Sequence, residues 1–168
     1  MNGCSVTGMR IMTSSILSMT LLTVRILRQR VSPGCLRSGT LDLNTGILTA
    51  ANGGHEKPIV KDTDGYYEAV ADKHGFVVGS VPEIKYTEYE LQLKPGSRLF
   101  LYSDGLVEAS DSNDSMFGME RVLTELNRDH DVSAEKTIDN MKSAVADFVQ
   151  DAEQFDDMTM LCMIYRGR

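Results

Sequence analysis

The sequence predicts one α+β domain, an assignment that depends on three observations. Apolar and alternating segments typical of strands come first, two segments with helical periodicity follow, and a last apolar run returns to the core. The chain has 168 residues, the size of one ordinary domain. Since 42% of these residues are hydrophobic, the chain can bury a core.

A β-hairpin is the first predicted element. Residues 41–43 (LDL) and 47–51 (ILTAA) flank the short connection Asn44-Thr45-Gly46, a spacing that favours antiparallel pairing. A tight glycine bend, Asn52-Gly53-Gly54-His55, follows the second strand, and residues 59–61 are predicted to form another strand.

A second antiparallel pair is predicted around the turn Lys94-Pro95-Gly96. Residues 88–93 (EYELQL) alternate between polar and apolar, whereas residues 98–102 (RLFLY) are almost continuously apolar. We expect these two segments to pair with each other, with the second strand deeply buried and central in its sheet.

Two helices and a closing strand complete the predicted domain. Apolar residues spaced at three and four positions predict a short helix over 119–126 and a longer one over 133–149, which Ser133 can cap. Residues 158–165 (MTMLCMIY) are predicted to be a buried last strand.

Charge divides the chain near Thr40. The whole chain carries 17 basic and 24 acidic residues, a net charge of −7 that argues against nucleic acid as a partner. Residues 1–40 contain five arginines but no Asp, Glu or Lys, so all 24 acidic residues lie beyond them. We therefore predict an atypical segment over 1–40 and a separate domain over 41–168.

The segment 1–40 allows three interpretations of its apolar run 16–24 (ILSMTLLTV). As a signal peptide it lacks a small-residue cleavage site, and nine residues are too few to span a bilayer. It can be an amphipathic helix, or the eroded, truncated or out-of-frame start of a longer gene. We expect residues 11–30 to be helical or poorly ordered, and three widely spaced cysteines favour a reducing, cytoplasmic location.

Carboxylates stand at the ends of two predicted buried strands. Asp104 follows residues 98–102 in the sequence Tyr102-Ser103-Asp104-Gly105, and Asp156 and Asp157 precede the last strand. Oxygen ligands converging at one end of a sheet suit Mg²⁺ or Mn²⁺, although each motif alone is also typical of a turn or of solvated charge. Ser103 lacks the G-x-S-x-G context of a serine hydrolase.

Taken together, four blocks resemble the PPM family of metal-dependent serine/threonine protein phosphatases, in its bacterial branch of sporulation stage II E proteins and sigma-factor regulators. The blocks are LDLNTGILTAANGGH (41–55), LKPGSRLFLYSDGLVEASD (93–111), MFGMERV (116–122) and FDDMTML (155–161). The resemblance implies an α-β-β-α sandwich and hydrolysis of phosphoserine or phosphothreonine by a water that two Mn²⁺ or Mg²⁺ ions activate. The implied substrate is a phosphorylated protein similar to an anti-sigma-factor antagonist.

The resemblance also implies roles for individual residues. Asp104 and Asp156 would be metal ligands, and Asp157 and Gly105 would support them from the surrounding shell. His55 matches the family's Asn-x-Gly-His turn, where a structural role near the site is the expectation.

The chain departs from the family pattern upstream. Members carry two further acidic metal-binding motifs before the LDL strand, but no Asp or Glu precedes Asp42 here. We therefore expect a sandwich that is incomplete at its N-terminus and a chain that alone is weakly active or inactive. The alternative is a non-catalytic remnant or pseudophosphatase that at most binds a partner.

Overall fold

The computed structural model describes residues 21–27, 36–71, 74–152 and 157–167. These residues form two β-sheets and three helices. In chain order the elements are β1 (Leu21–Leu27), β2 (Leu36–Asp42), β3 (Ile47–Gly53), β4 (Ile59–Lys61), β5 (Tyr67–Ala69), β6 (His74–Gly75), β7 (Glu88–Gln92), β8 (Arg98–Tyr102), α1 (Asp104–Val107), α2 (Gly118–Arg128), α3 (Ala134–Val149) and β9 (Met160–Ile164).

The first sheet is built around the predicted hairpin. β2 and β3 are antiparallel, with Leu41 opposite Leu48, so the pairing of 41–43 with 47–51 is confirmed. Gly46 closes the hairpin with a φ of +75°, and its N–H donates to the Asp42 carbonyl at 2.8 Å. β1 pairs with the other edge of β2, while β7 and the short β6 both pair with β3.

The second sheet has the strand order β5-β4-β8-β9 with antiparallel neighbours. All five residues of β8 are buried, and the strand is central, as predicted. Leu99 and Leu101 belong to the core between the two sheets, whereas Phe100 and Tyr102 belong to the core between the second sheet and the helices. A strand covered on both faces requires this nearly continuous apolar sequence.

One predicted pairing is wrong. β7 and β8 are adjacent in sequence, but β7 pairs with β3 in the first sheet and β8 lies between β4 and β9 in the second. The burial patterns explain the difference: β7 alternates exposed and half-buried residues, as an edge strand does, while β8 needs neighbours on both sides. The connecting turn, with Gly96 at φ +97°, therefore crosses between sheets.

Helices α2 and α3 cover the outer face of the second sheet, close to the predicted ranges. Ser133 caps α3, since its hydroxyl accepts from the Lys136 N–H at 3.2 Å. Val122, Leu126, Met141 and Val145 pack against Phe100 and Tyr102 in one core. The α+β class is thus confirmed, and the described residues supply the two sheets and one helical layer of the expected sandwich.

The expectation that residues 11–30 are helical or poorly ordered is wrong for Leu21–Leu27, which form strand β1. The sequence LLTVRIL is apolar enough for either element, and antiparallel pairing with β2 over seven residues supplies a hydrogen-bond ladder that overrides local helix propensity. β2 runs continuously through position 40, where the composition changes. Residues 11–20 and 28–30 lie outside the described ranges. In the described part of the chain, no helix has both the length and the apolar character needed to cross a membrane.

Candidate active site at one end of the second sheet

The candidate site lies where β8 ends and β9 begins, at residues 103–105 and 157–159, which we call the β8/β9 rim. Ser103 joins its two halves. The Ser103 N–H donates to the Thr159 carbonyl at 2.9 Å, and the Thr159 N–H donates to Ser103 Oγ at 2.9 Å. The Ser103 hydroxyl donates in turn to the Asp157 carbonyl at 3.2 Å, and Ser103 is only 4% exposed. The two strand ends are therefore held together by a buried side chain.

Asp104 opens α1 directly after this anchor. It is half-buried, and its Oδ1 accepts from the Gly105 N–H at 3.0 Å. A simple turn is the alternative interpretation of this Asp-Gly pair in the sequence. In the structure the chain makes one helical turn here that buries Gly105 and Leu106. The predicted ligand thus sits on a backbone fixed on one side by β8 and on the other by the core.

Asp157 lies on the facing half of the rim and is exposed. The bond from Ser103 to its carbonyl places Asp104 and Asp157 at the same end of the sheet. Asp156 lies outside the described residues, so its assignment as a ligand stays a prediction.

His55 lies in the predicted glycine bend after β3. Its backbone is held by Asn52, whose carboxamide donates to the His55 carbonyl at 2.9 Å and accepts from the His55 N–H at 2.8 Å. Both residues are buried, at 1% exposure for Asn52 and 4% for His55. Sequence reasoning identified the bend but missed Asn52 as the residue that shapes it, although Asn next to Gly-Gly is typical of such side-chain-closed turns.

Electrostatics connect the loop after β3 with the end of β8. Burial raises the pKa of Tyr102, and the negative charge of Glu56 raises it further, while Arg37 opposes the shift. The Arg37 guanidinium bonds to the Glu56 carbonyl and donates to the Tyr89 hydroxyl at 2.6 Å. Arg37 belongs to the segment whose composition looked foreign, and no sequence signal indicated that it would hold this loop.

The rim offers carboxylate oxygens, the donors that Mg²⁺ and Mn²⁺ prefer, so its residues fit a hard divalent cation in kind. They do not make a complete site on their own. Within the ranges that the structure describes, no three side chains of His, Cys, Asp or Glu converge in a way that could hold a metal ion.

Comparison with solved structures identifies the fold. The fold matches the RsbU and RsbW domains of Rv1364c from Mycobacterium tuberculosis with a TM-score of 0.64 at 19% identity, covering 80% of this chain and 37% of that one. It matches the PP2C phosphatase domain of SpoIIE from Bacillus subtilis, solved with a fragment of its regulatory domain, with a TM-score of 0.63 at 17% identity, covering 80% and 39%. The phosphatase domain of the same protein presoaked with Mn matches with a TM-score of 0.55 at 18% identity, covering 87% and 57%. The fold is therefore that of the PP2C phosphatase domains.

The sequence itself gives the family. The profile of the Stage II sporulation protein E (SpoIIE) family matches residues 22–166, and the chain belongs to that family. Protein IcfG from a Synechocystis strain is 29% identical over 129 residues, which are 77% of this chain and 20% of IcfG. The chain thus spans a fifth of that relative and less than two fifths of the first two structures above. The family match begins at residue 22, within the segment that the composition set apart.

Proposed function

We propose that this chain carries the C-terminal half of a metal-dependent protein serine/threonine phosphatase site. The observation that supports this most directly is the Ser103 anchor, which holds the Asp104 backbone against residues 157–159. The buried Ser103 hydroxyl makes two hydrogen bonds across the strand ends, one accepted from the Thr159 N–H and one donated to the Asp157 carbonyl. This link is what a pair of carboxylates needs in order to approach one cation from two strands.

Asp104 and Asp156 are the proposed ligands, and Asp157 and Gly105 support them. When bound, Mn²⁺ or Mg²⁺ would lower the pKa of a bound water and neutralise charge on phosphoryl oxygens. The chain's own contribution is positional: Ser103 fixes the separation of the two strand ends, and Gly105 orients the Asp104 carboxylate through its N–H. His55 shapes the adjacent loop and takes no chemical step in this proposal.

The proposed substrate is a phosphorylated protein similar to an anti-sigma-factor antagonist, in the cytoplasm. This follows from the family branch and from the likeness to a structure of RsbU and RsbW domains.

The level of activity separates this proposal from its alternative, a non-catalytic module. Two sequence facts favour low activity for the 168 residues alone: no Asp or Glu occurs in residues 1–40, and the expected bridging ligands have no counterpart upstream of Asp42. Two carboxylates alone would hold a divalent cation weakly and would leave a second cation without ligands. We therefore expect weak Mn²⁺ binding and little hydrolysis from this chain.

The test separates binding from turnover. Mn²⁺ binding to the 168-residue protein is followed by electron paramagnetic resonance, and hydrolysis of p-nitrophenyl phosphate and of a phosphoserine peptide is measured with and without Mn²⁺. Weak binding that Asp104→Asn and Asp156→Asn each abolish supports the half site, with Asp114→Asn, an exposed loop position, as the matched control. Robust Mn²⁺-dependent turnover would overturn the claim that the site is incomplete. Mn²⁺ binding that neither substitution affects would overturn the assignment of Asp104 and Asp156 as ligands.

A further inference from the structure

A groove runs between α2 and α3, and none of its lining residues belongs to the β8/β9 rim. Its volume is about 530 Å³. The lining residues, which we call the α2/α3 groove, are Phe117, Glu120, Arg121, Thr124, Glu125, Arg128, Ala144, Asp147 and Phe148. The α2 members recur at three- and four-residue steps, so the groove follows the whole helix, about 16 Å.

One end of the groove is aromatic and already organised. Phe117 and Phe148 meet edge to face with ring centroids 5.4 Å apart, and the Arg121 guanidinium lies 4.6 Å from the Phe148 centroid. Arg121 also donates to the carbonyls of Met116 and Phe117 at 3.1 and 3.0 Å. Arg121 therefore links the start of α2 to Phe148 near the end of α3.

The other end contains a buried carboxylate with an exposed partner. The Glu125 side chain is 7% exposed, and its Oε2 lies 2.7 Å from a guanidinium nitrogen of Arg128, whose side chain is 68% exposed. This buried Oε2 makes no hydrogen bond to any residue that the structure describes. A carboxylate removed from water needs a cation, and this one is neutralised by a long side chain three residues further along the same helix. Because Arg128 is largely in solvent, it can swing away without disturbing the core, provided that another cation replaces it.

The remaining charges on the groove are acidic. Glu120 and Asp147 are exposed and form no ion pair with any other residue in the described ranges. The three carboxylates thus face two arginines that are both engaged within the protein. Residues 41–168 carry 24 acidic and 12 basic side chains, which adds a long-range attraction for a basic partner.

We propose that the α2/α3 groove binds a basic amphipathic helix of a partner protein, whose arginine replaces Arg128 on Glu125. The helix would lie in the trough between α2 and α3, with an apolar residue against Phe148 and Ala144. Arginine suits the position because its planar guanidinium pairs with a carboxylate through two parallel bonds and is weakly hydrated. This site is separate from the proposed phosphatase site and does not depend on it.

The experiment uses the full 168-residue chain and a fluorescein-labelled synthetic helix of about 15 residues, with leucines along one face and one arginine among them. Binding is measured by fluorescence anisotropy, alongside a peptide in which glutamine replaces that arginine. We expect the arginine peptide to bind about tenfold more tightly than the glutamine peptide. Equal binding of the two peptides would overturn the proposal.

Two protein variants shift the affinity in opposite directions, which a merely structural role would not do. Glu125→Gln should lower the affinity for the arginine peptide to that for the glutamine peptide. Arg128→Gln should raise the affinity for the arginine peptide by about threefold or more, because Arg128 no longer competes with the peptide for Glu125. Glu135→Gln, the same change outside the groove on α3, is the control and should leave binding unchanged. Unchanged or weaker binding to Arg128→Gln would overturn the exchange, and self-association that Glu125→Gln abolishes would identify a second copy of this chain as the occupant instead.

Discussion

Ser103 and Thr159 exchange two hydrogen bonds across the end of the second sheet, one from each backbone N–H, both 2.9 Å long. The first joins backbone to backbone, while the second ends on the Ser103 hydroxyl, which also donates to Asp157. The side chain therefore continues the β8/β9 ladder by one step beyond its last pair, Tyr102 and Met160. The position of Asp104 relative to the entry of β9 depends on this extra step.

Ser103→Ala should lower the free energy of unfolding by about 2 kcal/mol, because it leaves the Thr159 N–H and the Asp157 carbonyl without their buried partner. Urea denaturation measures the change. Ser110→Ala is the matched control: its hydroxyl bonds to the Glu108 carbonyl in an exposed loop, and we expect a cost below about 0.5 kcal/mol. Equal costs for the two variants would show that the rim does not depend on Ser103.

Asn52 is the corresponding anchor of the loop that carries His55. In Asn52→Asp the carboxylate still accepts from the His55 N–H but cannot donate to the His55 carbonyl, and the two oxygens repel. We expect a loss of about 2 kcal/mol at neutral pH. Because a protonated carboxyl can donate again, part of this loss should be recovered as the pH falls.

Thermal unfolding of Asn52→Asp and of the unaltered protein between pH 4 and pH 8 tests this. A loss of stability that is the same at every pH would contradict the proposed hydrogen bond to the carbonyl.

Asp62 ties two turns together and should govern stability in acid. Its carboxylate accepts from Lys94 Nζ at 2.8 Å, from the Thr63 N–H at 2.9 Å and from the Ser97 hydroxyl at 3.1 Å. These bonds, that to Lys94 first, lower the pKa of Asp62 from its ordinary 3.8 to about 2. The Asp62 carboxyl therefore binds a proton less tightly in the folded state than in the unfolded state. Its contribution to the free energy of unfolding is complete above the ordinary pKa and is lost as the pH falls towards 2.

Asp62→Asn should flatten the dependence of the unfolding free energy on pH between about 2 and 4. High salt should reduce the difference in unfolding free energy between the unaltered protein and Asp62→Asn, since the Asp62 and Lys94 side chains are both more than half exposed. Asp64→Asn in the same turn is the control. A pH dependence identical to that of the unaltered protein would refute the assignment to Asp62.

Much of the fold could be predicted because its signals are local. The hairpin around Gly46, the buried run 98–102 and the helix capped by Ser133 all depend on patterns within a few residues. The sheet to which each strand belongs depends on the whole fold, so the short turn before β8 suggested a hairpin that does not form. β1 was missed for the same reason: LLTVRIL becomes a strand because β2 is beside it.

In the candidate site, too, features that depend on local sequence could be predicted and features that depend on distant contacts could not. The position of Asp104 at a strand end follows from the pattern of burial, but its support does not. Ser103, Asn52 and Arg37 act through hydrogen bonds to backbone atoms between 3 and 56 residues away in sequence. A bond to a distant backbone atom leaves no mark on the residue types involved, so sequence reasoning names candidate carboxylates but misses the residues that hold the backbone around Asp104.

Gly54 gives the last prediction, since its conformation sets the bend between Asn52 and His55. Its φ is +79°, and a Cβ there would lie 3.0 Å from the backbone N and Cα of Val77. Gly54→Ala should therefore cost about 2 kcal/mol or more, because the left-handed conformation is strained for alanine and backbone atoms cannot give way as a side-chain tip can. Gly65→Ala is the control, because a Cβ at Gly65 meets nothing closer than 3.9 Å. Equal midpoints of urea denaturation for the two variants would show that the backbone around Gly54 moves to accommodate the added Cβ. The bend would then not fix the position of His55.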